Sequence, residues 1–118
     1  MKNIASILML LFVAVAFAQN DIKPKFEKQG DQTKAIYYHE NGQVEQEGYF
    51  NKENKLQGTW TSYDVNGEKV AIGKYDNGIK VGKWLFWSND SLTEVDYVNN
   101  TVANVSEWQN KTRVATAH

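Results

Sequence analysis

The stretch GTWTSYDVNG at residues 58–67 is followed, 24 residues on, by GKWLFWSNDS at residues 82–91. Both open on Gly-x-Trp and carry an aromatic residue three places beyond the Trp, Tyr63 in the first copy and Trp87 in the second. Working outward, YHENG at 38–42 precedes YDVNG at 63–67 by 25 residues, and Gly48-Tyr49-Phe50 precedes Gly73-Lys74-Tyr75 by the same step. Three markers sharing one period indicate a repeat array, and periods of this length belong to stacked, quasi-one-dimensional architectures. Each unit alone cannot bury its aromatic residues; the neighbouring unit supplies the missing wall.

From Thr33 to Trp108, β-branched and aromatic residues alternate with polar ones, and no helical periodicity interrupts them. That pattern predicts strands. Asn41-Gly42, Asn66-Gly67 and Asn77-Gly78 supply the pair a type I′ turn requires, because both of its central residues take positive φ. Asn51 to Asn54 reads as a longer turn, while Asn89-Asp90 and Asn99-Asn100 close the last two hairpins. The expected strands are about 33–39, 43–50, 55–63, 68–76, 80–87, 92–98 and 101–108. The expected fold is all-β: a single twisted antiparallel meander of stacked β-hairpins over residues 33–108. Residues 19–32 read as a polar linker around Pro24 with a short leading strand near Phe26, and 109–118 as a disordered tail.

Side-chain alternation places Gly82, Trp84 and Phe86 on one face of strand 80–87, with Val81, Lys83, Leu85 and Trp87 on the other. In strand 55–63, Gly58 and Trp60 fall together and Tyr63 lies opposite. A glycine two places from a Trp suggests bare backbone over which a neighbouring ring can lie, so Gly58 and Gly82 are expected floors for rings. Gly42, Gly48, Trp60, Gly67, Gly73, Tyr75 and Trp84 complete the expected structural set.

The first 18 residues have the pattern of a secretory signal peptide. Lys2 provides a positive start, Ile4 to Val15 is almost wholly apolar, and Ala16-Phe17-Ala18 offers small residues for cleavage before Gln19. The chain is therefore expected to be secreted or periplasmic. Residues 1–18 carry one charge, Lys2, so the 100 residues that follow hold 12 basic and 14 acidic side chains, a formal charge of −2. That balance argues against broad attraction to nucleic acid. With no cysteine, neither a disulfide framework nor a lipidated cysteine is available, and packing and hydrogen bonds must hold the fold.

Few residue groupings suggest chemistry. His39 and His118 are the only histidines, too few for a metal site of the usual kind, and no metal or cofactor is expected. Glu45 with Glu47, and Glu94 with Asp96, are i, i+2 neighbours on strand faces and not carboxylates opposed across a cleft, as glycoside hydrolysis would need. They read as solvated face charges. No G-x-S-x-G elbow and no Walker loop occurs. A nucleotidyltransferase would also need a His-x-Gly-His-type motif and a helix N-terminus for phosphate, and the sequence offers neither. The expectation is a protein that is not an enzyme.

Gly-x-Trp-x-x-Tyr, an Asn-Gly turn and a following Gly-x-Tyr together resemble the variant MORN repeat of secreted Bacteroidetes-type proteins, over residues 38–108. The final unit departs from the pattern: Ser91 stands where glycine is expected, and Tyr97 to Trp108 lacks glycines, as in a degenerate capping hairpin. The resemblance implies a repeat fold without a common activity, and it brings membrane-surface contact into consideration. Since one sheet has two faces, the Tyr63, Lys83 and Trp87 face is the expected binding surface and the glycine-bearing face the tighter one. The expected partner is a protein or a cell-envelope component. Glycan or lipid binding through exposed rings and Lys55, Lys74, Lys80 and Lys83 is the alternative.

Overall fold

The computed structural model describes residues 22–109. Within them lie eight antiparallel strands in one open sheet, in the order of the chain. They are β1 (Lys25–Gln29), β2 (Gln32–Tyr38), β3 (Val44–Phe50), β4 (Leu56–Tyr63), β5 (Lys69–Asp76), β6 (Ile79–Ser88), β7 (Ser91–Val98) and β8 (Thr101–Gln109). The fold is all-β, a meander of hairpins. The seven anticipated strands are present within a few residues of their expected bounds. An eighth, β1, is the short leading strand expected near Phe26 within the linker, and it pairs along its full length with β2. Gln32, placed at the end of that linker, already belongs to β2. The segments read as signal peptide and as tail beyond Gln109 lie outside the described residues.

The Asn-Gly and Asn-Asn turns follow two patterns. Asn77-Gly78 and Asn99-Asn100 have positive φ at both residues, as a two-residue type I′ connection requires. At Asn41-Gly42 and Asn66-Gly67, by contrast, only the glycine is left-handed, with φ of 93° and 88°. There Gly42 N–H donates to the His39 carbonyl and Gly67 N–H to the Asp64 carbonyl, at 3.0 Å each. These are type I turns ending in a left-handed residue, which corrects the type I′ reading of those two pairs. Each turn also reaches the next: His39 Nε2–H donates to the Tyr63 carbonyl and Asn41 Nδ2–H to the Val65 carbonyl, both at 2.8 Å and both 24 residues apart.

The core occupies one face. Ala35, Trp60, Ala71, Tyr75, Trp84, Phe86, Val95 and Tyr97 are buried there, with Tyr37, Phe50, Leu56 and Val105 packed around them. Trp60 and Trp84 are each 1% exposed. Their indole N–H groups donate to the Tyr49 and Val81 carbonyls at 3.0 and 3.1 Å, so burial leaves neither unsatisfied. Phe50 meets Trp60 edge to face at 5.2 Å, and Tyr75 meets Trp84 in the same way at 5.1 Å, one period later.

The glycine beneath each ring is not the one expected. A Cβ on Gly48 would fall inside the Trp60 ring, and one on Gly73 inside the Trp84 ring. These two, on the preceding strand, are the floors. Gly58 and Gly82 face open space and have φ of 72° and 74°. They lie where the β3–β4 and β5–β6 registers each slip, after Glu47 and after Ile72. Their role is to bend the backbone left-handedly so that the Trp two residues later reaches back over the preceding strand.

Candidate binding surface

Register determines which residues share the face opposite the core. Tyr38 pairs with Val44, Tyr63 with Lys69, Trp87 with Leu92, and Leu92 with Trp108. Gln46 pairs with Ser62, and Ala71 with Phe86, so Glu45 falls beside Tyr63 and Val70 beside Trp87. One row therefore crosses the sheet on this outer face. It runs from Tyr38 through Glu45, Tyr63, Lys69 with Val70, Trp87 and Leu92 to Trp108. An aromatic ring arrives on every second strand: β2, β4, β6 and β8.

Each ring of the row sits three residues beyond a core position: Tyr38 after Ala35, Tyr63 after Trp60, Trp87 after Trp84 and Trp108 after Val105. An odd offset on a strand puts the two side chains on opposite faces, so one repeat builds the core and the outer row together. Exposure increases along the row. Tyr38 and Tyr63 are half-buried, Trp87 is 36% exposed and Trp108 58%.

Tyr63 is fixed by its hydroxyl, which donates to Glu47 Oε2 at 2.6 Å. Desolvation, then that hydrogen bond and the charge of Glu47, push its pKa up to about 12. Lys83 shares the face but stands four residues along β6 from Trp87, about 13 Å away at strand rise. Its ammonium bridges Glu94 and Asp96 at 3.2 and 3.3 Å, and these hydrogen bonds raise its pKa. The expected trio thus divides: Tyr63 and Trp87 belong to one row, and Lys83 is part of a separate charge cluster. The Glu94 and Asp96 carboxylates are paired with it and are not freely solvated.

The other lysines differ as well. Lys80 lies on the core face, its ammonium 5.5 Å from the Trp84 ring centroid and 5.2 Å from that of Tyr97. Desolvation lowers its pKa. It replaces Leu56 of the preceding unit, which makes it part of the packing and removes it from the expected surface lysines. Lys74 is exposed on the outer face.

Trp108 and Tyr38 were not named as binding residues from the sequence, although the YHENG motif already sets Tyr38 in register with Tyr63. The signal that could have found them is the constant three-residue offset from positions 35, 60, 84 and 105. At the far end of the strands, an open groove of about 390 Å³ is lined by Asp31, Asn51, Glu53, Gln57, Asp76 and Asn77 among others. Its amides bond to one another: Asn51 Nδ2–H donates to Asn77 Oδ1 at 2.8 Å, and Asn77 N–H to Gln57 Oε1 at 2.8 Å. That groove is a stack of turns closed on itself. Among the described residues, no group of three or more His, Cys, Asp or Glu is placed to hold a metal ion.

No protein-family model matches this chain, and no curated protein matches it.

Proposed function

We propose that this chain is an exported, non-catalytic repeat module of the MORN-like kind its sequence resembles, presenting one sheet face to a protein or cell-envelope component. The observation that carries the reading is the division of the four tryptophans between two faces. Trp60 and Trp84 are buried on one side, while Trp87 and Trp108 remain open on the other. Large exposed rings clustered on one face mark an interaction surface. Export rests on the Lys2, Ile4 to Val15 and Ala16-Phe17-Ala18 pattern.

Two measurements test it. Mass spectrometry of the secreted or periplasmic protein should find a chain beginning at Gln19; full-length protein held in a membrane would refute export. Trp87→Ala should leave stability within about 1 kcal/mol while abolishing retention on an envelope fraction. Retention unchanged by Trp87→Ala would move binding to an edge strand or the turns and end the face reading.

A second reading is favoured by the regular spacing of the outer rings: a periodic ligand, such as a glycan, stacking along the row. The lysine contribution to that alternative is weaker, because Lys80 is enclosed by rings and Lys83 is paired with two carboxylates.

A further inference from the structure

We propose that Tyr38, Tyr63, Trp87 and Trp108 form a stacking track for an extended, uncharged, β-linked glycan chain lying across the strands. The assignment rests on the binding-face reading and names its ligand class.

The first argument is pitch. Neighbouring strands lie about 4.8 Å apart, so rings on every second strand repeat at about 10 Å. Two sugar residues of an extended β-linked chain cover a step of that length, so every second pyranose can present its apolar C–H face to a ring. The sheet's twist turns each ring by roughly 40–50° relative to the last, over two strands. A flexible glycosidic chain can follow that rotation. A globular protein partner has no reason to match a track of constant pitch.

Charge supplies the second argument. Glu45 lies in the row between Tyr38 and Tyr63, and Glu47 lies one row away, on the line of cross-strand neighbours that runs from Ile36 through Thr61, Ile72 and Leu85. Carboxylates accept hydrogen bonds from sugar hydroxyls and repel anionic headgroups or acidic polymers. Against them the row itself holds one cation, Lys69, and Lys83 is already neutralised by Glu94 and Asp96. The track therefore complements a hydroxyl-rich neutral chain better than an anionic lipid surface.

The exposure gradient gives the third. Trp87 and Trp108 have one strand between them, and the residue on that strand is Leu92, a half-buried aliphatic side chain. The ground between the two most open rings is apolar and unobstructed by charge. Binding should be strongest at this β6–β8 end and weaken towards Tyr38.

The test uses the full chain, with soluble N-acetylglucosamine and cello-oligosaccharide series of increasing length, read by tryptophan fluorescence and by affinity electrophoresis. Affinity should rise in steps of two sugars until the chain spans the three intervals of the row, roughly six residues. Trp87→Ala and Trp108→Ala should each weaken binding about tenfold with unchanged denaturation midpoints, and Trp87→Phe should recover most of the loss. No binding to either series, or binding indifferent to both Trp substitutions, overturns the glycan assignment. If Trp87→Ala abolishes retention on vesicles or on a purified protein partner while neither sugar series binds, the glycan inference falls and the binding face stands. If neither sugar, vesicle nor protein retention depends on Trp87, both fall.

Discussion

Gly73→Ala is the sharpest probe of how this sheet is held together. Gly73 has no left-handed φ to protect, so alanine carries no backbone penalty there; the whole effect is steric. Its Cβ would enter the Trp84 ring at Cδ2, Cε3 and Cε2. The ring cannot lift away easily, because Tyr75 and Tyr97 meet it edge to face at 5.1 and 5.5 Å and Phe86 stacks at 6.1 Å. Overpacking costs about 1–3 kcal/mol where neighbours can yield. With three rings holding the fourth, we expect about 3 kcal/mol or more, bounded by the roughly 3–5 kcal/mol of losing a buried Trp altogether. Gly82→Ala is the control. Its Cβ would meet nothing within 4 Å, and only its φ of 74° opposes a side chain, at about 1–2 kcal/mol. Urea unfolding followed by tryptophan fluorescence, with slopes held equal, gives the two midpoints. If Gly82→Ala costs more than Gly73→Ala, or if Gly73→Ala is silent, the floor assignment is wrong.

Trp84→Ala should cost about 3–5 kcal/mol, against less than about 1 kcal/mol for Trp87→Ala; equal midpoints would erase the division into core and outer faces. Tyr63 and Tyr75 have folded pKa values raised to about 12 from an ordinary 10.0, for Tyr75 by burial and then by Tyr97. The unfolded chain gives up these protons first, so their stabilisation is complete below pH 10 and is lost as pH rises towards 12. Ultraviolet titration of phenolate should show that lag, and Glu47→Gln should lower the Tyr63 midpoint by removing a charge beside it. Lys80→Leu restores the residue found at the equivalent Leu56 and removes a desolvated ammonium. Its midpoint should be unchanged or raised by up to about 1 kcal/mol, and a loss above about 2 kcal/mol would mean that the cation–π contacts dominate.

The period was legible because it is local chemistry repeated. Turn residues recur at fixed steps, and alternation assigns Trp84 and Trp87 to opposite faces whatever the strands pair with. The class of fold and most strand positions follow from that alone. Two elements were only partly legible, for identifiable reasons. β1, with the sequence KFEKQ, is exposed along its whole length, so it lacks the apolar alternation that marks a half-buried strand. Its place comes from pairing with β2. The outer row was half visible: Tyr63 and Trp87 share a motif, whereas the last interval shortens to 21 residues and hides Trp108.

What a residue is near in sequence and what it touches in the sheet are separated by register, and register belongs to the tertiary structure. Gly58 and Gly82 stand beside the tryptophans in the chain and look like their floors. The register slips at those glycines carry Trp60 and Trp84 back over Gly48 and Gly73 on the strand before. The same cross-strand pairing turns Lys80 from a surface lysine into a packed one and aligns four separated aromatic residues into one row. The amino-acid sequence by itself determined the repeat, the strands and the two faces, because each depends on residues a few positions apart. Which glycine lies under which ring, and which rings share a row, was decided only by how the strands slide against one another. No local spacing encodes that choice, because it is made by the packing of the whole sheet.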